Sequence, residues 1–119
     1  MEGIEAFDAT TGQRYWSVAG GHPDPKAGDV QAIVASGGKV YAGGHYAQMG
    51  GLVRKRLCEV DAVTGQIGPW APEIPGFQAG NLGVWAVEVN PALGRLYAGG
   101  DFLQVSGEDR RRFAQFSGL

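Results

Sequence analysis

The chain has 119 residues, of which 44% are apolar and 18% charged, and a formal net charge of −2 at pH 7. This length has room for one domain with a modest core, and the small negative charge excludes long-range attraction to nucleic acid or to an anionic membrane surface. No apolar run approaches the roughly 20 residues that span a bilayer, and a single cysteine, Cys58, excludes an intrachain disulfide or a thiolate zinc cluster.

The chain opens with two predicted strands joined by a turn. Residues 4–7 and 13–18 match the third and fourth strands of the middle unit described below, which predicts that they are strands as well. Between them, Asp8 can accept hydrogen bonds from its own turn, and Gly12 can adopt the positive φ that closes it. Residues 1–28 are therefore predicted to form a partial unit, called the first unit below.

The middle unit, residues 29–80, is predicted to hold four antiparallel strands. They are expected at residues 30–35, 39–42, 56–60 and 67–70. Asp61 and Gly65 repeat the turn of the first unit, and Pro75 and Gly76 end the segment.

The last unit, residues 81–119, repeats three of these strands. They are expected at residues 84–89, 95–98 and 113–116. Residues 39–46 and 95–102 match in register, each with a tyrosine before Gly-Gly and an aromatic residue after it. A repeat of this length predicts stacked supersecondary units, and four short antiparallel strands per unit predict an all-β fold of β-propeller blades, about two per chain.

A two-blade chain leaves apolar faces without a neighbour, and fewer than about four blades cannot close a ring. We therefore expect partners. Three copies joined head to tail would give six blades, and four copies would give eight. At each junction, the first and last units of neighbouring copies would both supply the third strand of one blade, so one of these two strands would be displaced or packed outside. The alternative is that further repeats of a longer parent chain complete the ring.

Two occurrences of one motif resemble the bacterial delta-60 β-propeller repeats of unassigned function. The matching positions are Tyr41, Gly43, Gly44, Tyr46, Gly50, Gly51, Arg54, Asp61, Gly65, Pro75 and Gly76, and then Tyr97, Gly99, Gly100, Phe102, Gly107 and Arg110. The resemblance implies a propeller within a large extracellular or surface bacterial protein, and it implies no catalytic residues.

Residues 6–16 are similar to the docking motif of quinoprotein dehydrogenase propellers, Ala-x-Asp-x-x-Thr-Gly-x-x-x-Trp. In that family the tryptophan lies between adjacent blades, which implies this role for Trp16. Trp70 stands one position further from its turn glycine, and we expect it to pack between blades as well. A quinoprotein enzyme would need calcium and quinone donors; the sequence leads us to expect no cofactor and no metal.

Several polar and aromatic residues are candidate ligand contacts. His45 and Asp101 follow Gly-Gly at equivalent positions, where they can contact a ligand or satisfy backbone at a bulge. Arg54 and Arg110 begin equivalent basic triplets, which can form an anion-binding ring or a solvated strand edge. Trp85, after a glycine turn at 80–83, can stack on a sugar ring.

The other selected residues have structural roles. The glycine pairs permit close approach of strands, the aspartates and their glycines set turns, and the tryptophans fill space between blades. They are Asp8, Gly12, Trp16, Gly43, Gly44, Asp61, Gly65, Trp70, Gly99 and Gly100. The chain is thus predicted to be a non-catalytic propeller module that forms a scaffold or presents a ligand, the alternatives being a glycan-binding lectin and a fragment of a quinoprotein-like dehydrogenase.

Overall fold

A computed structural model describes residues 3–23, 28–75 and 83–119. Within these ranges every regular element is a strand, and all strand pairs are antiparallel, which confirms the all-β prediction. The expected Pro75-Gly76 boundary and the turn at 80–83 lie partly outside the described residues. The strands are β1 Gly3–Phe7, β2 Arg14–Gly21, β3 Val30–Ser36, β4 Lys39–Gly44, β5 Gln48–Met49, β6 Leu52–Val53, β7 Leu57–Asp61, β8 Val84–Asn90, β9 Arg95–Gly100, β10 Gln104–Val105, β11 Glu108–Asp109 and β12 Phe113–Ser117.

The middle and last units form equivalent sheets, β3-β4-β7 and β8-β9-β12. Val30 pairs with Gly44, and Val84 pairs with Gly100, each beside a register shift at the same place. A bulge of this kind adds one residue to a strand and increases its twist. The repeat in the sequence is therefore a repeat in backbone geometry as well.

The loop between the second and third strands of each sheet is also repeated. The amide of Gly44 donates to the carbonyl of Arg56 at 3.0 Å, and that of Gly100 donates to Arg112 at 3.1 Å. Both arginines have positive φ, 71° and 68°. Each loop contains a short hairpin whose two strands are two residues long, β5-β6 in the middle unit and β10-β11 in the last. The sequence did not predict these hairpins.

The fourth strand expected at 67–70 is reduced to one bridge between Val60 and Ile67. Proline has no amide hydrogen to donate to a strand ladder; Pro69 falls in this stretch and Pro72 follows it. The corresponding strand of the first unit, β2, contains no proline and runs from Arg14 to Gly21.

The hydrophobic core is divided into two clusters, and each lies between consecutive units. One joins the first unit to the middle unit through Ile4, Val18, Ala42, Tyr46, Met49, Cys58 and Val60. The other joins the middle unit to the last through Tyr41, Leu57, Ile74, Val84, Leu96, Ala98, Phe102, Val105 and Ala114. Each sheet is therefore stabilised mainly by the sheet that packs on its face.

Candidate interaction surface

The contact between the middle and last units is closest at Gly43. A Cβ atom added there would lie 2.4 Å from Cγ1 of Val84 and 3.3 Å from Cγ1 of Val87. Both distances are shorter than ordinary van der Waals contact, so this strand approaches β8 only because residue 43 has no side chain. The adjacent glycine has a different role, because a Cβ at Gly44 would lie 2.2 Å from the carbonyl oxygen of Asp29 in the bulge of its own sheet.

Trp16 and Trp70 each contact the unit that follows their own. The Trp16 ring packs on Gly65, and its Nε1 donates to the carbonyl of Ala62 at 3.1 Å, so it joins β2 to the turn of the middle unit. The Trp70 ring lies edge-on to Tyr41 and Phe116, with centroid distances of 5.9 and 5.2 Å.

Asp8 and Asp61 form the same turn in the first and middle units. Oδ1 of Asp8 accepts from the amides of Thr10 and Thr11, and Oδ1 of Asp61 accepts from the two equivalent amides, all at 2.8–2.9 Å. Gly12 and Gly65 close these turns with φ of 74° and 77°. The hydroxyl of Tyr15 also donates to Asp8, and these hydrogen bonds lower the pKa of Asp8 to about 2.

The last unit has an uncovered apolar surface, which we call the trailing face, made of Tyr97, Gly99 and Phe113. Among the described residues, the nearest atom to a Cβ added at Gly99 is 3.8 Å away. Phe113 is 57% exposed and stacks on Tyr97 with centroids 6.2 Å apart. Tyr41 and Leu57, the equivalents in the middle unit, are only 3% and 0% exposed because the last unit covers them.

A second, partly uncovered surface, the leading face, lies on β3 and consists of Val30 and Ile33; Val30 is half-buried against the cluster between the first and middle units. Ile33 is 59% exposed, whereas its equivalent, Val87, is half-buried against Gly43. Beside Ile33 is a groove of about 280 Å³ between β3 and Gly3, Ile4 and Glu5 of β1. Among the strands of the described residues, β1 pairs with β2 alone, and its other edge borders this groove.

His45 and Asp101 occupy equivalent positions but have different partners. Nδ1 of His45 lies 3.1 Å from Oδ1 of Asp29. Asp101 accepts from the amide of Gly83 at 2.7 Å, so its carboxylate satisfies the backbone of a bulge. Each side chain therefore lies just after the second strand of its sheet, β4 or β9, and contacts the residue just before the first strand, β3 or β8.

Trp85 is half-exposed and lies edge-on to His45, with ring centroids 5.0 Å apart. These two candidate ligand contacts are therefore brought together across the boundary between the middle and last units. Asp101, Arg54 and Arg110 have no contact with this aromatic pair among those that the described residues show.

The basic triplets are engaged locally. Arg54 donates to the carbonyl of Gly68 at 2.9 Å, and Arg110 donates to the carboxylate of Glu108 at 2.8 Å. Lys55 pairs with Glu73. These bonds use part of the donor capacity of the triplets; Nε of Arg54 has no hydrogen-bond partner among the described residues, and the Arg110 and Arg111 side chains are exposed.

Sequence reasoning missed two buried charged residues, Arg56 and Glu59, each 5% exposed. Nη1 of Arg56 donates to the carbonyl of Ile74 at 2.7 Å. Glu59 accepts from Lys39 at 3.0 Å, which raises the pKa of Lys39. The available signal for Glu59 was its place in an alternating strand, but no local pattern separates Arg56 from the exposed arginines beside it.

Within the described residues, no three histidine, cysteine, aspartate or glutamate side chains are grouped so that they could hold a metal ion. The same residues include no helix with the length and apolar character needed to cross a membrane. No protein family, curated protein or solved structure matches this chain significantly.

Proposed function

We propose that this chain is a non-catalytic β-propeller repeat module, a scaffold or ligand-presenting unit that is completed by self-association into a closed ring. One observation carries this proposal. The face that the middle unit buries against the last unit recurs uncovered on the last unit, and the face that the last unit buries recurs on β3 with Ile33 exposed.

The two uncovered faces are complementary rather than identical. A contact between them would be head-to-tail, and repeated head-to-tail contacts either close into a ring or grow into a filament. Apolar burial supplies about 25 cal/mol per Å² of surface removed from water, so covering Ile33 and Phe113 favours association. Both side chains are more than half exposed in the single chain.

The number of copies follows from the number of units in each chain. With about two blades per copy, a homotrimer would give six blades and a homotetramer eight, both within the usual range for propellers. Further repeats of a longer parent chain could cover the same two faces. Under either arrangement the chain serves as part of a ring and not as an independent catalyst.

The test is the absolute molar mass of the 119-residue chain, measured by light scattering on a size-exclusion column over a range of concentrations. A chain mass of 12.5 kDa gives clearly separated masses for monomer, trimer and tetramer. A discrete trimer or tetramer would support ring closure. A monomer that melts cooperatively at every concentration would contradict the proposal.

The exposed tryptophan favours glycan binding as a second candidate function. Trp85 is 50% exposed, and the edge of His45 fixes its orientation at a unit boundary. Aromatic faces bind the apolar faces of sugar rings, and polar groups nearby provide specificity. Titration with a panel of monosaccharides, followed by tryptophan fluorescence, should show saturable binding that Trp85→Ala removes; no saturation with any sugar would contradict it.

A further inference from the structure

Glycine occupies two equivalent strand positions, 43 and 99, and the chain supplies a steric reason for only one. At Gly43 an added Cβ would collide with Val84, whereas at Gly99 the nearest atom in the described residues would be 3.8 Å away. Gly99 does not have the positive φ that favours glycine. Because glycine weakens a strand interior relative to alanine, a bare position here indicates close approach by something outside this chain.

Resting on the ring proposed above, we infer that the trailing face of one copy receives Val30 and Ile33 of a second copy at Gly99. The contact would reproduce the one that Val84 and Val87 make with Gly43 inside each chain. The partner is thus a second copy of this chain, joined head to tail.

The backbone of β3 provides the required match to β8. Val30 and Val84 each pair with the second glycine of a Gly-Gly pair, beside the same bulge. Ile33 then pairs with Ala42 as Val87 pairs with Ala98. A second copy placed by this equivalence directs both β3 side chains at the space that Gly99 leaves.

The surroundings of Gly99 are also those of a buried contact. In the middle unit, Tyr41 and Leu57 are covered together with Gly43. Their equivalents, Tyr97 and Phe113, are stacked on each other beside Gly99, and among the described residues no unit of the same chain packs on them as the last unit packs on Tyr41 and Leu57. The face is therefore apolar across three adjacent positions, which suits a leading face of valine and isoleucine.

The junction involves a competition between two strands. β1 and β12 are both equivalents of β7, and β12 already pairs with β9 through residues Phe113–Ser117. In the joined copies, β1 of the second copy reaches the same edge of β9. One of the two strands gives way. Val30 and Ile33 of the second copy reach Gly99 in either case, whereas Phe113 belongs to the contact only if β12 remains.

Two variants test the inference. Gly99→Ala adds one methyl group where the single chain has space, so it should leave the melting temperature of the dilute monomer unchanged or raise it slightly. The same methyl group should weaken association about tenfold or more through overpacking. Ile33→Asp places a charge on the leading face and should block association as well. Val63→Asp is the matched control, because Val63 is 81% exposed and belongs to neither face.

Mixing the variants tests the direction of the contact. Each variant alone should remain near 12.5 kDa under conditions where the unaltered chain assembles. An equimolar mixture of Gly99→Ala and Ile33→Asp keeps one intact junction. It is formed by the trailing face of the Ile33→Asp chain and the leading face of the Gly99→Ala chain. It should give a dimer that grows no further.

The outcomes separate this inference from the proposed function. If the unaltered chain assembles and both variants assemble equally well, the ring proposal stands and the assignment to Gly99 and Ile33 is wrong. If the mixture stays monomeric while the unaltered chain assembles, the head-to-tail pairing is wrong. If the unaltered chain is monomeric throughout, both are wrong.

Discussion

Replacement of Arg56 by methionine tests whether the boundary between the middle and last units depends on a buried cation. The Arg56 side chain is 5% exposed, and its Nη1 donates at 2.7 Å to the carbonyl of the fully buried Ile74. Burial lowers the pKa of Arg56, and the negative charge of Asp101 acts in the opposite direction. Methionine keeps an apolar stem of similar length and removes the donor.

The expected loss comes from the Ile74 carbonyl. A hydrogen bond from a charged donor is worth about 1.5–3 kcal/mol, and an acceptor left unsatisfied in the interior costs about 1–3 kcal/mol. Removal of a desolvated charge offsets part of this. We expect Arg56→Met to lower the free energy of unfolding by about 1–3 kcal/mol, which at about 4 °C per kcal/mol lowers Tm by about 4–12 °C.

Urea and thermal unfolding of the dilute chain measure this change, with Arg112→Met as the matched control. Arg112 has the equivalent backbone position, with φ of 68° against 71°, but its side chain is exposed. Exposed substitutions of this kind usually change stability by less than about 0.5 kcal/mol. Equal losses in the two variants, or no loss for Arg56→Met, would refute the reasoning.

Three further predictions concern single side chains. The Tyr15 hydroxyl is the main cause of the lowered pKa of Asp8, so Tyr15→Phe should raise that pKa from about 2 toward its ordinary value of 3.8. An NMR titration of Asp8 measures this change. An unchanged pKa would exclude the Tyr15–Asp8 hydrogen bond. A carboxyl with a depressed folded-state pKa stabilises the fold above about pH 4 and loses that contribution as pH falls toward 2. Asp8→Asn should therefore flatten the pH dependence of the free energy of unfolding in this range. An unaltered pH dependence would contradict the assignment. Cys58 is fully buried, and burial raises its pKa to about 11. A thiol reagent at pH 8 should therefore label Cys58 only as fast as the chain unfolds. Rapid labelling of the native chain would show that the core between the first and middle units is open.

The sequence predicted the local features well because their causes are local. The hairpins follow from alternating side chains on either side of glycine turns, and β3 and β4 begin at the predicted residues. The Asp8 and Asp61 turns depend on hydrogen bonds within a few residues, so the shared spacing of Asp and Gly was enough to find them.

The missed features depend on neighbours distant in sequence. Arg56 belongs to a basic triplet that by itself indicates a solvated edge, yet its side chain is buried and donates to the carbonyl of Ile74, 18 residues away. The stretch at 67–70 has a strand-like pattern, but Pro69 lies within it and Glu59 accepts from the amide of Trp70 at 3.4 Å. Single-sequence patterns do not show which distant group competes for a backbone donor.

Exposure in this repeat is decided by neighbouring units and not by the strand itself. Four consecutive residues of β7, Leu57 to Val60, are buried because successive side chains point to opposite faces and each face has a neighbour. In β12 the residue equivalent to Leu57 is Phe113, which is 57% exposed, while the next residue, Ala114, is 3% exposed. Ala114 faces the middle unit, and Phe113 faces away from it. On the outer face of β12, Phe113 is followed by the polar Gln115 and Ser117, so the apolar exposure of this strand is confined to the end that lies beside Gly99. A neighbour of the kind proposed above would cover Phe113 there, as the last unit covers Leu57.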